Sequence, residues 1–543
     1  MSARCFISSV LFFLILLAYG CGERDDLAIP VDLMQPLALG PKVVFIDKSL
    51  YKAYLLDVTK KEIEPKVTAA DLPPRPLLVQ KRNQVDELLI LCAGQQDTEG
   101  KEEKPAALAV LKSDGGVRKY EIERGFNSLI QSQDGRYVFL SVQGQTEDDP
   151  TATNTIVLPQ NVMFIDLEKK PSDESARFSL LLGNSISNVP TGVSFSPEMS
   201  VAGKSRRLAL IQSTDIVWLV DLSTPDSPPI FIQPNVGQQF SFEQALFDEK
   251  KKRLFLRGSN TDTINILDFA EDTDASSATD MLPLPVLRDP RLVAQGPSDM
   301  ALYTVGDRTY LLVVSNGSNV ATIIDTDSST VATVALPVVA NRILMFSSTA
   351  ASESEAPSAQ ALLYNHGGQY NVVTFIDLAN IDLEGTERLK AESVESVYFD
   401  TYFDQLSVVP NGNIVVLINT NGKQVSLLDL AERNVFPIKT PSQMKVIADS
   451  RVNKLWFEPR TNDQNNDRLV YLDLETFSSE DVRLDSQIEH ALLVGTEAEA
   501  QIAIVHPSSI GYVTVLDAKS PSRKSAVSVE GFFISHVLDR GEP

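Results

Sequence analysis

The sequence predicts an all-β protein, a β-propeller of four-stranded blades whose ring is closed by the two ends of the chain. A β-rich run ending in Asp recurs at a near-constant period, a mark of repeat architectures. A hairpin-like pair of apolar runs lies between successive copies. No stretch beyond the N-terminal segment shows helical periodicity of useful length.

The Asp-ended run is clearest as Ala53-Tyr54-Leu55-Leu56-Asp57, Val162-Met163-Phe164-Ile165-Asp166, Val217-Trp218-Leu219-Val220-Asp221 and Ile264-Asn265-Ile266-Leu267-Asp268. It returns ending at Asp325, Asp377, Asp429, Asp473 and Asp517, with a weaker copy at Ala107-Leu108-Ala109-Val110-Leu111 whose Asp is delayed to Asp114. These ten Asp residues are spaced 44 to 57 apart. Between them, Ser128-Leu129-Ile130 turns at Asp134-Gly135 into Tyr137-Val138-Phe139-Leu140. Likewise Leu406-Ser407-Val408-Val409 turns at Asn411-Gly412 into Ile414-Val415-Val416-Leu417. Both turn dipeptides tolerate positive φ and favour hairpins. Two hairpins per period make about four strands, the content of a propeller blade. A lone twisted sheet cannot bury both faces, whereas blades standing in a ring bury each other's.

Ten copies set the expected blade count, with eight or nine if a copy is decorative; two stacked propellers are the alternative. Closure is expected from both termini. Val43-Val44-Phe45-Ile46 reads as a strand without a predecessor and Phe532-Phe533-Ile534-Ser535 as one without a successor, so the two could share a blade. Segments 95–104, 146–155, 271–280 and 352–360 are polar and poor in β formers. They read as inserted loops, candidates for a binding surface on one face. Lys250-Lys251-Lys252-Arg253 reads as an exposed hairpin turn.

One repeat resembles the YVTN family of propeller repeats: Leu312-Val313-Val314-Ser315-Asn316, Asn319-Val320-Ala321-Thr322-Ile323-Ile324-Asp325, then Ser328 and Thr330-Val331-Ala332-Thr333-Val334. The resemblance implies a propeller outside the cytoplasm and no particular activity.

Residues 1–20 read as a secretory signal peptide, with Arg4 in the n-region and an apolar stretch over 6–17. Ala18-Tyr19-Gly20-Cys21 resembles the lipobox of bacterial lipoproteins, which implies acylation of Cys21; Ala18 and Gly20 also satisfy an ordinary small-x-small cleavage site. The resemblance, with Gly22 where a retention Asp would stand, implies lipid anchoring in the outer membrane, on its periplasmic or cell-surface side. Residues 21–36 then form a tether and 37–543 the propeller. Of the cysteines, Cys5 leaves with the signal and Cys92 sits in an apolar run. Acylation of Cys21 would preclude a Cys21–Cys92 disulfide.

The mature chain is acidic: the full sequence carries a formal charge of −24 with a pI near 4.7. That charge opposes nucleic acid, which needs a basic footprint. No catalytic set is legible. His366, His490, His506 and His536 lack metal-ligand spacing. The expected cofactor is none, with one weak metal candidate: Asp463, Asn465 and Asp467 offer oxygens at alternate positions, as a calcium loop would. There Arg468 replaces the turn Gly, and a solvated turn is the competing account. The expected function is a non-enzymatic, lipid-anchored envelope scaffold that binds a protein partner or a surface polymer. A metal-dependent propeller hydrolase or lactonase and a carbohydrate-binding module are the alternatives.

Overall fold

A computed structural model describes residues 32–533 apart from 60–66, 96–102, 144–157, 184–188, 214–215, 234–240, 260, 270–280, 306, 329, 348–358, 369, 379–393, 410–412, 420–422, 441–442, 448–451, 461–465 and 509. Cys21, the Asn411-Gly412 turn, Asp463 and Asn465 lie outside the described residues.

Ten antiparallel sheets follow one another along the chain, each made of consecutive strands in simple meander order. They occupy 37–71, 76–122, 128–181, 192–232, 241–292, 297–335, 342–403, 405–439, 444–483 and 490–530, here blades 1 to 10. Every Asp-ended run, the weak copy included, is the third strand of its blade. Second and third strands are the buried middle of each sheet, as in Glu87–Cys92, Ala106–Lys112 and Tyr137–Ser141. Their near-continuous apolar composition follows, because both faces of a blade are covered by neighbouring blades.

Ring closure is visible in the packing. Ten apolar clusters fill the ten spaces between successive blades. The decisive one joins blade 10 to blade 1: Val43, Phe45, Tyr54 and Leu56 meet Val505, Val513, Val515, Phe532 and Phe533. The Gly495 amide also donates to the Gly40 carbonyl across this seam, at 2.8 Å. The molecule is therefore a single ten-bladed propeller. Neighbouring first strands approach one another and so line the axis, with fourth strands on the outer rim.

Among the described residues, the first and last blades meet at the seam without sharing strands, and Ile534 and Ser535 of the expected closing strand lie outside the described residues. Blade 1 has its own first strand, Leu37–Leu39, whose three residues are too few to show alternation in sequence. Phe532 and Phe533 are helical residues packed on blade 1, with ring centroids 5.3 and 5.4 Å from Phe45. Side-chain packing closes the ring where a strand pairing was expected.

Meander order gives the ring two distinct faces. First-to-second and third-to-fourth turns lie on one, which carries the recurrent aspartates; second-to-third turns and blade-to-blade connections lie on the other. The four polar segments divide between them. Segments 95–104 and 146–155 leave second strands on the connector face, and 271–280 and 352–360 leave strands on the aspartate face. Within them, 96–102, 146–155, 271–280 and 352–358 lie outside the described residues.

Candidate functional site

The recurrent Asp is a turn device. Asp57, Asp166, Asp221, Asp325, Asp429, Asp473 and Asp517 each accept the backbone N–H of the residue two further on, at 2.8–3.2 Å. The carboxylate stands in for a backbone acceptor and shapes the third-to-fourth turn. Several are also held by a cation at the start of the second strand: Arg136 to Asp166 at 3.0 Å, Arg253 to Asp268 at 2.9 Å and Lys454 to Asp473 at 2.7 Å. Lys454 and the turn amides hold the Asp473 carboxyl down at about 2. Arg206 and Asp221 form such a pair with both side chains 1% exposed. Blade 2 swaps the signs. Glu87 starts its second strand opposite Lys112, and its carboxylate is taken by Arg82 at 2.6 Å and Arg118 at 2.9 Å. That swap explains the weak copy.

The sequence candidates fall apart spatially. Asp467, the described member of the calcium set, accepts from Arg483 Nε at 2.7 Å. Cys92 is fully buried between blades 1 and 2, and burial pushes its thiol up to about 12. Lys251 and Arg253 pair with Asp327 and Asp268 around their turn. Among the described residues, no three His, Cys, Asp or Glu side chains stand close enough together to hold a metal ion.

Two clefts open on the connector face. The smaller, about 210 Å³, lies at the seam against segment 33–36 and is lined by Glu489, His490, His506 and Tyr512 among others. The hairpin register sets His490 opposite Val505 and thus beside His506, a proximity that their 16-residue separation conceals. His506 is a structural residue. Its Nδ1 lies 2.7 Å from the Gln487 carbonyl, which can only accept, so Nδ1 carries the proton. Nε2 then accepts from the Thr514 hydroxyl at 2.8 Å, and Thr514 lies 3.0 Å from the Ser528 hydroxyl. Burial pushes both His490 and His506 below the usual imidazole range.

The larger cleft, about 860 Å³, spans the inner strands of blades 5, 6 and 7. Sequence reasoning passed over it because its residues come from six separate stretches of three repeats. Glu243 lies near the start of the first strand of blade 5, Ser241–Asp248, Arg257 near the end of its second, Arg253–Ser259, and Thr261-Asp262 belong to the turn that follows. Gln295-Gly296-Pro297 connect to blade 6, Asn316 follows its second strand, and Asn341-Arg342 open blade 7. The connecting backbone packs tightly: a Cβ at Gly296 would come within 2.5 Å of Asn316 Oδ1, and one at Gly317 within 2.7 Å of the Gln295 carbonyl.

Buried and half-buried hydrogen bonds tie the three blades together beneath this cleft. Arg257 donates through Nη1 to Glu243 at 2.6 Å and the Pro297 carbonyl at 2.8 Å, and through Nε to Gln244 at 3.1 Å. Gln244 Nε2 donates to Asp299 at 2.9 Å, whose other oxygen accepts the Ile343 amide at 2.9 Å. The inner strands of blades 5, 6 and 7 are thereby held in one arrangement.

The outer rim is uneven. Among the described residues, the large apolar side chains more than half exposed are Leu181, Phe231, Met281, Leu284, Val286, Leu292 and Tyr398, all on or leading into outer strands of blades 3, 4, 5 and 7. In blade 5 that outer strand is split into Val286–Leu287 and Arg291–Leu292, both paired with the third strand and separated around Pro290.

No family model and no curated protein matches the chain. Among solved structures it is similar to dihydro-heme d1 dehydrogenase NirN in complex with DHE, at 13% identity over 76% of each chain and a TM-score of 0.41. Apo AztD from Citrobacter koseri is similar at 13% identity over 74% of this chain and 95% of that one, with a TM-score of 0.34. A eukaryotic initiation factor is similar at 11% identity over 76% and 88%, with a TM-score of 0.42. Likeness at this level concerns shape alone, and the ring stands on its own strand order and packing.

Proposed function

We propose that the chain is a non-enzymatic envelope scaffold, tethered to the outer membrane through an acylated Cys21, whose propeller holds a protein partner or a surface polymer. The observation that carries the partner reading is the one-sided apolar rim. An acidic protein with a charge of −24 gains solubility from charged outer edges, yet blades 3, 4, 5 and 7 present Leu181, Phe231, Leu284, Val286, Leu292 and Tyr398 to solvent. Exposed apolar groups gathered on one side mark interaction surfaces, and an outermost strand adds unpaired backbone groups to them. The split outer strand of blade 5 blunts simple edge pairing, which favours a partner that reads side chains.

The polymer reading draws on the polar cleft of the connector face. Segment 33–36 enters blade 1 on that same face, since Leu33 bridges Asp47 at the end of a second strand. A tether at Cys21 would therefore leave from the cleft side of the ring.

The test joins two measurements on the full chain expressed with its leader. Fatty-acid labelling is expected in the wild type and absent in Cys21→Ser. A photo-crosslinker at Leu284 is expected to capture one envelope protein in stoichiometric yield, with capture lost in Phe231→Ser/Leu292→Asp. Unlabelled wild type would end the anchoring claim. Turnover of a hydrolase substrate panel, with no captured partner, would end the scaffold claim.

A further inference from the structure

We propose that the cleft over blades 5, 6 and 7 binds a carboxylated sugar, its carboxylate taken by Arg257 and Arg342 and its hydroxyls by Gln295, Asn316 and Asp262. This deepens the polymer side of the reading above and rests on it in one respect, that the ligand is held and released intact.

The guanidiniums carry the argument. Arg257 is only 4% exposed. Its Nη1 and Nε are spent on Glu243, Pro297 and Gln244, while Nη2 has no hydrogen-bond partner among the described residues and belongs to a cleft-lining side chain. Arg257 Nη2 is not sealed from solvent, so its two N–H donors are open to an acceptor arriving in the cleft. Glu243 already answers one charge at the base of the cleft. Arg342 adds a second guanidinium to the lining, exposed, with no carboxylate within ion-pair distance among the described residues. Two guanidiniums and two carboxylates line the cleft, Glu243 being taken by Arg257, so Arg342 is the cation left without a carboxylate partner among the described residues. An anionic group answers that cation, and planar guanidinium forks match a carboxylate in a two-bond geometry.

The remaining lining selects the rest of the ligand. Gln295 and Asn316 carry primary amides, each both donor and acceptor, and Asp262 keeps an oxygen beyond the one accepting the Gly296 amide at 3.3 Å. Amide and carboxylate edges of this kind suit the paired donors and acceptors of neighbouring sugar hydroxyls. Ser259, Ser298 and Asn341 already bond backbone carbonyls. Among the lining residues no aromatic ring is present and Pro297 alone is apolar, so an acyl chain or a stacked base finds no surface. The volume, about 860 Å³, lies within the range of ligand sites, roughly 300–1,000 Å³. Because the Gln244–Asp299–Ile343 links fix the three blades beforehand, little ordering is left for the ligand to drive.

Isothermal titration of the detergent-purified full chain tests the assignment with three probes of matched length: oligogalacturonate, neutral oligogalactose and oligoglutamate. Oligogalacturonate is expected to bind and to be recovered intact by mass spectrometry. Arg342→Gln, at an exposed position, is expected to weaken it about tenfold or more, and Asn316→Ala several-fold. Arg523→Gln, on blade 10, is expected to leave it unchanged. Equal binding of the neutral oligomer, equal binding of oligoglutamate, no binding of oligogalacturonate, or an unaffected Arg342→Gln variant would each overturn the proposal. Tight binding followed by cleavage would sink the scaffold reading and leave the site assignment standing. Lipid labelling and rim cross-linking report on the envelope reading separately.

Discussion

Asp517 shows how a residue type is selected by turn chemistry repeated around a ring. Its carboxylate receives the amides of Lys519 and Ser520 at 2.8 and 3.0 Å, and Asp325, Asp429 and Asp473 do the same in their blades. The repeat was legible from these aspartates because each third-to-fourth turn needs an acceptor at one place. Their role was not legible, since an Asx turn and a metal ligand look alike in sequence. Asp467 illustrates the point: chosen for its oxygen, it is held by Arg483. His506 escaped notice for the opposite reason, because its partners Gln487 and Thr514 are brought to it only by the hairpin register. It carries a pH consequence. Burial lowers its folded-state affinity for a proton, so the unfolded chain binds more protons below the ordinary imidazole pKa of about 6.5. Stability is therefore complete above that value and falls on acidification toward pH 5. Unfolding midpoints in urea between pH 7.5 and 5 should show this slope, and His506→Gln should flatten it. An unchanged slope would remove His506 from the account, leaving the depressed His490 as the remaining imidazole contribution.

Elements were easiest to read where both faces are buried. The runs at Val162–Asp166 and Val425–Asp429 lie within strands Asn161–Asp166 and Gln424–Asp429, since a doubly covered strand needs continuous apolar residues. Short or broken edge strands were harder. Leu37–Leu39 is too brief to carry a pattern, and blade 5 divides its outer strand around Pro290. The strand ends that flank the long polar segments fall on faces set by strand parity, which composition does not encode. One turn was read correctly in detail. Gly135 sits at φ +68° after Asp134, and a Cβ there would come within 2.1 Å of the Asn83 carbonyl of blade 2. Gly135→Val should therefore cost about 1–3 kcal/mol from backbone strain alone, with more from parting blades 2 and 3. Denaturant unfolding measures the sum. A loss below about 0.5 kcal/mol would mean that the two blades do not meet at this turn.

At the scale of the whole molecule, ten sheets close because each inter-blade space is filled from both sides, the seam included. The asymmetries of the surface are imposed on that regular frame. The seam joins blades 10 and 1, and the polar cleft lies across the ring at blades 5, 6 and 7. The exposed apolar rim runs through blades 3, 4, 5 and 7. Blade number and four-stranded blades were readable from the period. The cleft was not, because it collects single residues from repeats whose shared pattern says nothing about their second-to-third turns. The exposed apolar rim and the cleft both belong to a closed ring of this size, and the proposed partner site and tether presuppose it. Electron-microscope class averages of the full chain, viewed along the ring axis, test that premise most directly. Ten evenly spaced lobes enclosing a central hole are expected, with the lobe carrying the C-terminus adjoining the one carrying the N-terminus. An open arc, two stacked smaller rings, or a closed ring of eight or nine lobes would contradict it.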